Sequence, residues 1–168
     1  MELRRVPFTH PDAVALVAAV QQEYVQRYGG GDGTPVDPAE FAPPRGWFVV
    51  GYAGGEPVAA GGFRVRSGAE DAAVCHGDAE IKRMYVADHH RGRGFARAVL
   101  AELERVAREL GCRRTILETG TRQPEAVALY RSAGYVAIPP FGIYREHPAC
   151  RCFAKALLVP VRGVTRSA

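Results

Sequence analysis

Apolar residues return every third or fourth position through Val14, Leu16, Val17, Val20, Tyr24 and Tyr28, the spacing that lines one face of a helix over residues 11–28. Pro11 stands at its first turn and Gly29 just past its end, an asymmetry that helix termini favour. A second stripe, Ala96, Val99, Leu100, Leu103, Val106, Ala107 and Leu110, predicts a helix that covers a sheet and stops at Gly111. Glu104 and Arg108 are expected to pair four apart on its outer face. Elsewhere the pattern changes to strands. Residues 47–52 and 58–65 predict two, joined by the hairpin turn Ala53-Gly54-Gly55-Glu56. Residues 80–86, 115–119, a stretch from Tyr135 onward and residues 152–159 predict four more, with a short helix over 124–132 stopped at Gly134. Residues 29–46 are too rich in Gly and Pro to continue a helix, so a long loop is expected there with one helical turn at 37–41. Residues 67–78 predict a second, polar connection.

Strand, helix, strand, helix, strand from residue 80 onward implies right-handed parallel crossovers, whereas the earlier hairpin implies antiparallel pairing. The fold class that follows is α/β, a mixed central sheet flanked by helices. At 168 residues the chain has a single-domain length. Residues 1–160 are expected to form that domain and residues 161–168 a loose tail.

Composition changes this picture only a little. Hydrophobic content of 47% with 24% charged residues is ordinary for a soluble domain, and no apolar run approaches the ~20 residues of a membrane span. The first residues, Met1 to Pro7, lack the apolar core of a signal peptide, so a cytoplasmic protein without membrane partners is expected. Cys150 and Cys152 are spaced wrongly for a zinc knuckle or a redox Cys-x-x-Cys pair and, with Cys75 and Cys112, read as ordinary thiols. The net charge of +4 is spread without a block of five like charges, which argues against a nucleic-acid partner. Its densest stretch, Lys82, Arg83, Arg91, Arg93 and Arg97, surrounds one glycine-rich loop.

That loop, Arg91-Gly92-Arg93-Gly94-Phe95-Ala96, lies between the strand at 80–86 and the helix that follows. Glycines let successive backbone N–H groups converge on an anion, and the helix adds the positive end of its dipole. A phosphate-bearing cofactor is the first expectation. No Gly-Lys-Ser/Thr follows, which excludes the nucleoside triphosphate loop, and Arg97 stands where a dinucleotide fingerprint needs its third small residue. What remains, Arg-x-x-Gly-x-Ala, resembles the acetyl-CoA loop of the GCN5-related N-acetyltransferase (GNAT) family. Upstream, Ala79-Glu80-Ile81-Lys82-Arg83-Met84-Tyr85-Val86 resembles that family's fourth strand with its acidic residue. Downstream, residues 123–130 and Gly134-Tyr135 resemble its Asn-x-x-Ala-x-x-Leu-Tyr and Gly-Phe segments, with Gln123 where Asn is usual. The resemblance covers nearly the whole chain, and residues 80–136 carry most of it.

The resemblance implies a mostly antiparallel sheet of about seven strands whose fourth and fifth splay apart to admit a pantetheine arm, with a bulge near Met84. It implies acetyl-CoA as cosubstrate, held by Met84, Tyr85, Val86, Arg91, Gly92, Arg93, Gly94, Phe95, Ala96, Gln123 and Tyr130, and no metal. Acetyl transfer to an amine needs a neutral amine, a stabilised oxyanion and a proton for the departing thiolate. The resemblance offers Tyr130 as the proton donor, an N–H near Tyr85 or Val86 for the oxyanion, and Glu80 either as a base acting through water or as a core carboxylate. No serine, cysteine and histidine arrangement suggests an acyl-enzyme, so direct transfer in a ternary complex is expected.

Three other clusters have ordinary readings. His76, Asp78 and Glu80 alternate and would share one strand face, as metal ligands or as a half-exposed polar edge. Asp88-His89-His90 reads as a solvated turn, while Asp32, Asp37 and Glu40 either draw in a cationic amine or only solubilise the long loop. The expected protein is an acetyl-CoA-dependent N-acetyltransferase, monomeric or homodimeric, acting on a primary amine of a small molecule or peptide. Its competitor is a catalytically inactive acyl-CoA-binding sensor.

Overall fold

The computed structural model describes residues 1–68 and 71–157. Among the described residues seven strands form one sheet in the order β1-β2-β3-β4-β5-β7-β6, where β1 is Glu2–Arg5, β2 Gly46–Ala53, β3 Glu56–Val65, β4 Ala79–Val86, β5 Arg114–Gly120, β6 Val136–Ile138 and β7 Cys150–Ala156. The helices are α1, Pro11–Tyr28, α2, Phe95–Glu109, and α3, Pro124–Ser132, with 3-10 turns at Pro38–Phe41 and Asp88–His90. Among these described strands only β4 and β5 pair in parallel, across the α2 crossover, and every other pair is antiparallel. The α3 crossover lands one strand away, because β7 inserts between β5 and β6. Four-residue β1, with Glu2, Arg4 and Arg5, carries too little apolar pattern to be read from sequence. The expected end of the last strand near Val159 and the tail at 161–168 lie outside the described residues.

Each sheet face is covered by its own helix set. On one, Val99, Leu100, Leu103, Val106 and Ala107 of α2 and Tyr130 of α3 pack on Val49, Phe63, Ile81, Leu117 and Phe153. On the other, Ala13 and Leu16 of α1 pack with Phe48, Val50 and Ala60, beside stacked Phe8 and Phe41 with ring centroids 4.6 Å apart. Two details of the predicted stripes differ. Val14 is 53% exposed, the inward position being taken by Ala13. Glu104 reaches Lys155 of β7 at 2.6 Å instead of pairing with Arg108, because it faces the end of the sheet.

The sheet is interrupted where the site forms. β4 and β5 pair only at Ala79↔Thr115, Glu80↔Ile116 and Ile81↔Leu117, and beyond Ile81 the two strands separate. On its other side β4 slips against β3, since Ala60 faces Tyr85 but Gly62 faces Lys82, leaving Arg83 and Met84 opposite Gly61 alone. This is a β-bulge, with Arg83 at φ 57. Gly61 makes it possible, because a Cβ there would lie 2.6 Å from the Met84 sulfur and 2.8 Å from Val99.

Candidate active site

The separated halves of β4 and β5 open a cleft of about 810 Å³, bounded by α1, the 29–33 segment, the glycine loop and α3. Its two ends are built differently. At one end α2 begins at Phe95 after Gly94, with no side-chain cap, and its first hydrogen bond runs from Ala98 N to Gly94 O at 3.0 Å. The N–H groups of Phe95, Ala96 and Arg97 therefore have no partner within the helix and point out of its positive end. Gly92 at φ 74 and Gly94 at φ 78 turn the chain into this position. A Cβ on Gly94 would meet nothing within 4 Å, so backbone conformation and not space demands glycine.

The side chains here are occupied elsewhere. Arg91 folds back to the Val86 carbonyl at 3.0 Å and to Glu23 at 2.5 Å, which fastens the loop to β4 and α1. Arg93 is exposed and does not line the cleft, whereas Arg91, Gly92, Gly94, Phe95, Ala96 and the unpredicted Arg97 do. Met84, Tyr85 and Val86 form the β4 wall. Gln123, at the start of α3, accepts hydrogen bonds through Oε1 from Thr119 at 3.3 Å and Tyr28 at 3.5 Å, so the predicted contact residue also ties β5, α3 and α1 together.

Tyr130 lines the cleft from α3 at 6% exposure, its ring 5.7 Å from that of Tyr135. Its hydroxyl makes no hydrogen bond among the described residues, and burial pushes its pKa up, so it stays protonated at neutral pH. Glu80 has a different setting. At 2% exposure it receives Arg64 Nε at 2.8 Å, Arg66 at 2.9 Å and Lys82 Nζ at 3.1 Å. Burial alone would raise its pKa, but Lys82, Arg64 and Arg66 hold it below the ordinary value. It sits in the paired part of β4, opposite Ile116, and does not line the cleft.

Glu118 of β5 does line it, and sequence reasoning missed this residue. No hydrogen bond or ion pair from another described residue reaches its carboxylate, and burial pushes its pKa up to about 7, with Lys82 opposing and Asp32 and Glu80 adding to the rise. A signal was present, since Glu118 lies two residues after fully buried Ile116 on the same strand face, an inward place for a carboxylate.

The acidic residues of the long loop make contacts that the sequence pattern does not show. Asp32 pairs with Arg83 of the bulge and exchanges two backbone-to-side-chain hydrogen bonds with Gln21, at 2.7 and 3.2 Å. Asp37 caps the 3-10 turn, and Glu40 binds Arg64 at 3.0 Å. Gly33 N donates to Tyr144 Oη at 2.7 Å, so the segment is strapped across the end of the cleft away from the glycine loop. The predicted alternating triad also dissolves: His76 precedes β4, and Asp78 is taken by Arg114, at 2.9 Å to Nε. Two groups of donors cluster among the described residues, Glu56 with His89 and His90, and Glu118 with Cys150 and Cys152. His90 lines the cleft, and burial, then His89 and Arg93, lower its pKa, leaving a neutral ring.

Comparison with known proteins agrees with this fold. The family model for the acetyltransferase (GNAT) family matches residues 13–135. The IAA acetyltransferase of Azospirillum brasilense is 38% identical over 81 residues, 48% of this chain and 53% of that protein. The uncharacterised N-acetyltransferase YjgM of Escherichia coli (strain K12) is 36% identical over 93 residues, 55% of this chain and 52% of that protein. The chain thus spans about half the length of the curated relatives it matches. Among solved structures, a candidate acyl-CoA N-acyltransferase of Klebsiella pneumoniae superposes with a TM-score of 0.75 at 27% identity, covering 93% of this chain and 97% of that one. The PaiA N-acetyltransferase of Thermoplasma acidophilum, solved with coenzyme A, shares the fold with a TM-score of 0.64 at 12% identity, covering 93% and 99%.

Proposed function

The chain belongs to the acetyltransferase (GNAT) family, and on that premise we propose that it transfers an acetyl group from acetyl-CoA directly to a primary amine of a small molecule or peptide. The observation that carries this reading is the single cleft in which the free N–H groups at the start of α2, the β4 bulge and the unpartnered Tyr130 hydroxyl all meet. A pyrophosphate fits the first, being an anion at a helix N-terminus. A pantetheine arm fits the second, because its amides take the place of a strand beside Met84 and Val86.

In this reading the chain's residues divide the chemistry. Glu118, the cleft carboxylate left without a partner, takes the proton from the amine, directly or through water. An N–H near Tyr85 or Val86 stabilises the carbonyl oxygen as the C–N bond forms. Tyr130 gives its proton to sulfur as the C–S bond breaks. Glu80, committed to three cations, holds β3 and β4 together beneath the cleft instead of acting as the base. Intact mass of the protein mixed with acetyl-CoA alone, and then with an amine panel, tests direct transfer. Acetylated amine with unmodified protein is the expected result; a protein that gains an acetyl group before amine is added, on Cys150 for instance, would contradict it.

A further inference from the structure

We propose that Cys150, Cys152 and Glu118 form a zinc-binding site in the acceptor wall of the cleft, and that zinc bound there switches transfer off. Cys150 and Cys152 alternate on β7, so both thiols leave the same face of the strand. The spacing that is wrong for a knuckle on a turn is right for a chelate on a strand. In the β5–β7 ladder Glu118 stands opposite Cys152 and Gly120 opposite Cys150, so no bulk from β5 intrudes beside the outer thiol. The two sulfurs are 3.7 Å apart, and a Glu118 oxygen lies within 4.8 Å of both. Two Zn–S bonds of about 2.3 Å at a tetrahedral angle hold their sulfurs about 3.7–3.8 Å apart. The carboxylate needs to move by no more than about 1.3 Å to reach the ~3.5 Å from sulfur that such an ion requires.

The chemistry of the donors selects the ion. Two thiolates with a carboxylate suit zinc and exclude magnesium and calcium, and three protein ligands leave a fourth position for water or amine. Coordination displaces two thiol protons to solvent and leaves the oxidation state of every atom unchanged. Packing alone gives no account of Glu118, because a partly buried carboxylate beside two buried thiols, without a counter-ion among the described residues, is costly. Glu80, also buried, has three cations. The bound ion captures the proposed base and fills the place of the acceptor amine. Inhibition rests on the proposed reaction; binding does not.

The test uses the full chain, reduced and stripped of metal, titrated with Co²⁺ and then Zn²⁺ by absorbance and calorimetry. One cobalt ion per chain with thiolate-to-metal charge-transfer absorption, displaced by zinc, is expected. Cys152→Ser, which alters a residue that does not line the cleft, should weaken zinc binding by about 100-fold or more and leave zinc-free transfer within about twofold. Glu118→Gln provides a second ligand variant should the first not fold. His89→Ala should leave zinc binding unchanged, since the Glu56, His89 and His90 group is the rival ligand set. Absence of the charge-transfer band, zinc binding intact in Cys152→Ser, or binding lost only in His89→Ala would overturn the site. Zinc bound at these thiols while wild-type transfer continues undiminished would overturn the switch.

Discussion

The two ends of the cleft are made of different material. The end proposed to take the phosphates is backbone: N–H groups at the start of α2, two glycines with positive φ, and an Arg91 side chain that is tied down to β4 and α1. The acceptor end is side chain: Asp32 on Arg83, Lys82 on Glu80, Gly33 on Tyr144, and Glu118 beside two thiols. Backbone dipoles cost nothing to desolvate beyond what the helix already leaves unpaired, and they recognise any phosphate. Buried charges must each be matched, so every one restricts the others. Under the proposed reaction, donor binding falls to a local stretch of sequence and acceptor choice to residues spread across the fold.

Substitutions can break that contrast, beginning with the largest effect. Tyr130→Phe should lower kcat by ~10²-fold or more while the CoA dissociation constant, measured by calorimetry, changes little. Unchanged turnover would remove the general-acid role. Glu118→Gln should slow transfer by about 10²-fold at saturating acetyl-CoA without lowering the melting temperature, whereas Glu80→Gln should do the reverse. Removing the Glu80 charge takes away the buried carboxylate that Arg64, Arg66 and Lys82 share, which costs about 3–5 kcal/mol in denaturant unfolding. If Glu80→Gln abolishes turnover in a stable protein, the two carboxylates have exchanged roles.

Gly94→Val should weaken CoA binding by about tenfold, since a β-branched residue at φ 78 costs roughly 1–2 kcal/mol and displaces the N–H groups. Undiminished affinity in a titration would refute the backbone cradle. The smallest effect belongs to the outer face of α2, where Arg105 joins Glu102 at 2.7 Å and Glu109 at 2.5 Å. Arg105→Ala should change unfolding stability by less than about 1 kcal/mol and leave both ends of the cleft untouched.

The same division governs what the sequence made legible. Arg91 to Ala96, the strand before them and the helix after them are contiguous, so glycine spacing and periodicity expose the phosphate end without knowledge of the fold. The bulge at Arg83 and Met84 and the splay beyond Ile81 follow the family resemblance, whereas the parallel β4–β5 pair follows from the strand, helix, strand order. The acceptor end brings together residues 32, 83, 118, 144 and 150, and no local pattern links them. Glu80 shows the cost of reading one position alone: its place on the strand was visible, but its three cations are Arg64 of β3, Arg66 just past the end of β3, and Lys82 of β4 itself. Cys150 and Cys152 show the same for geometry, since only a strand sets both thiols on one face. Asp37 and Glu40, read as drawing in an amine or solubilising the loop, serve a helical cap and Arg64, contacts that their sequence positions do not show.

The central claim is most directly tested by following coenzyme A thiol release from acetyl-CoA, with and without a panel of amines, amino acids and lysine peptides, in wild type and Tyr130→Phe. Release that depends on an amine and falls by ~10²-fold in the variant is the predicted result. Tight acetyl-CoA binding with no release for any amine would contradict the account and identify the cleft as an acyl-CoA sensor.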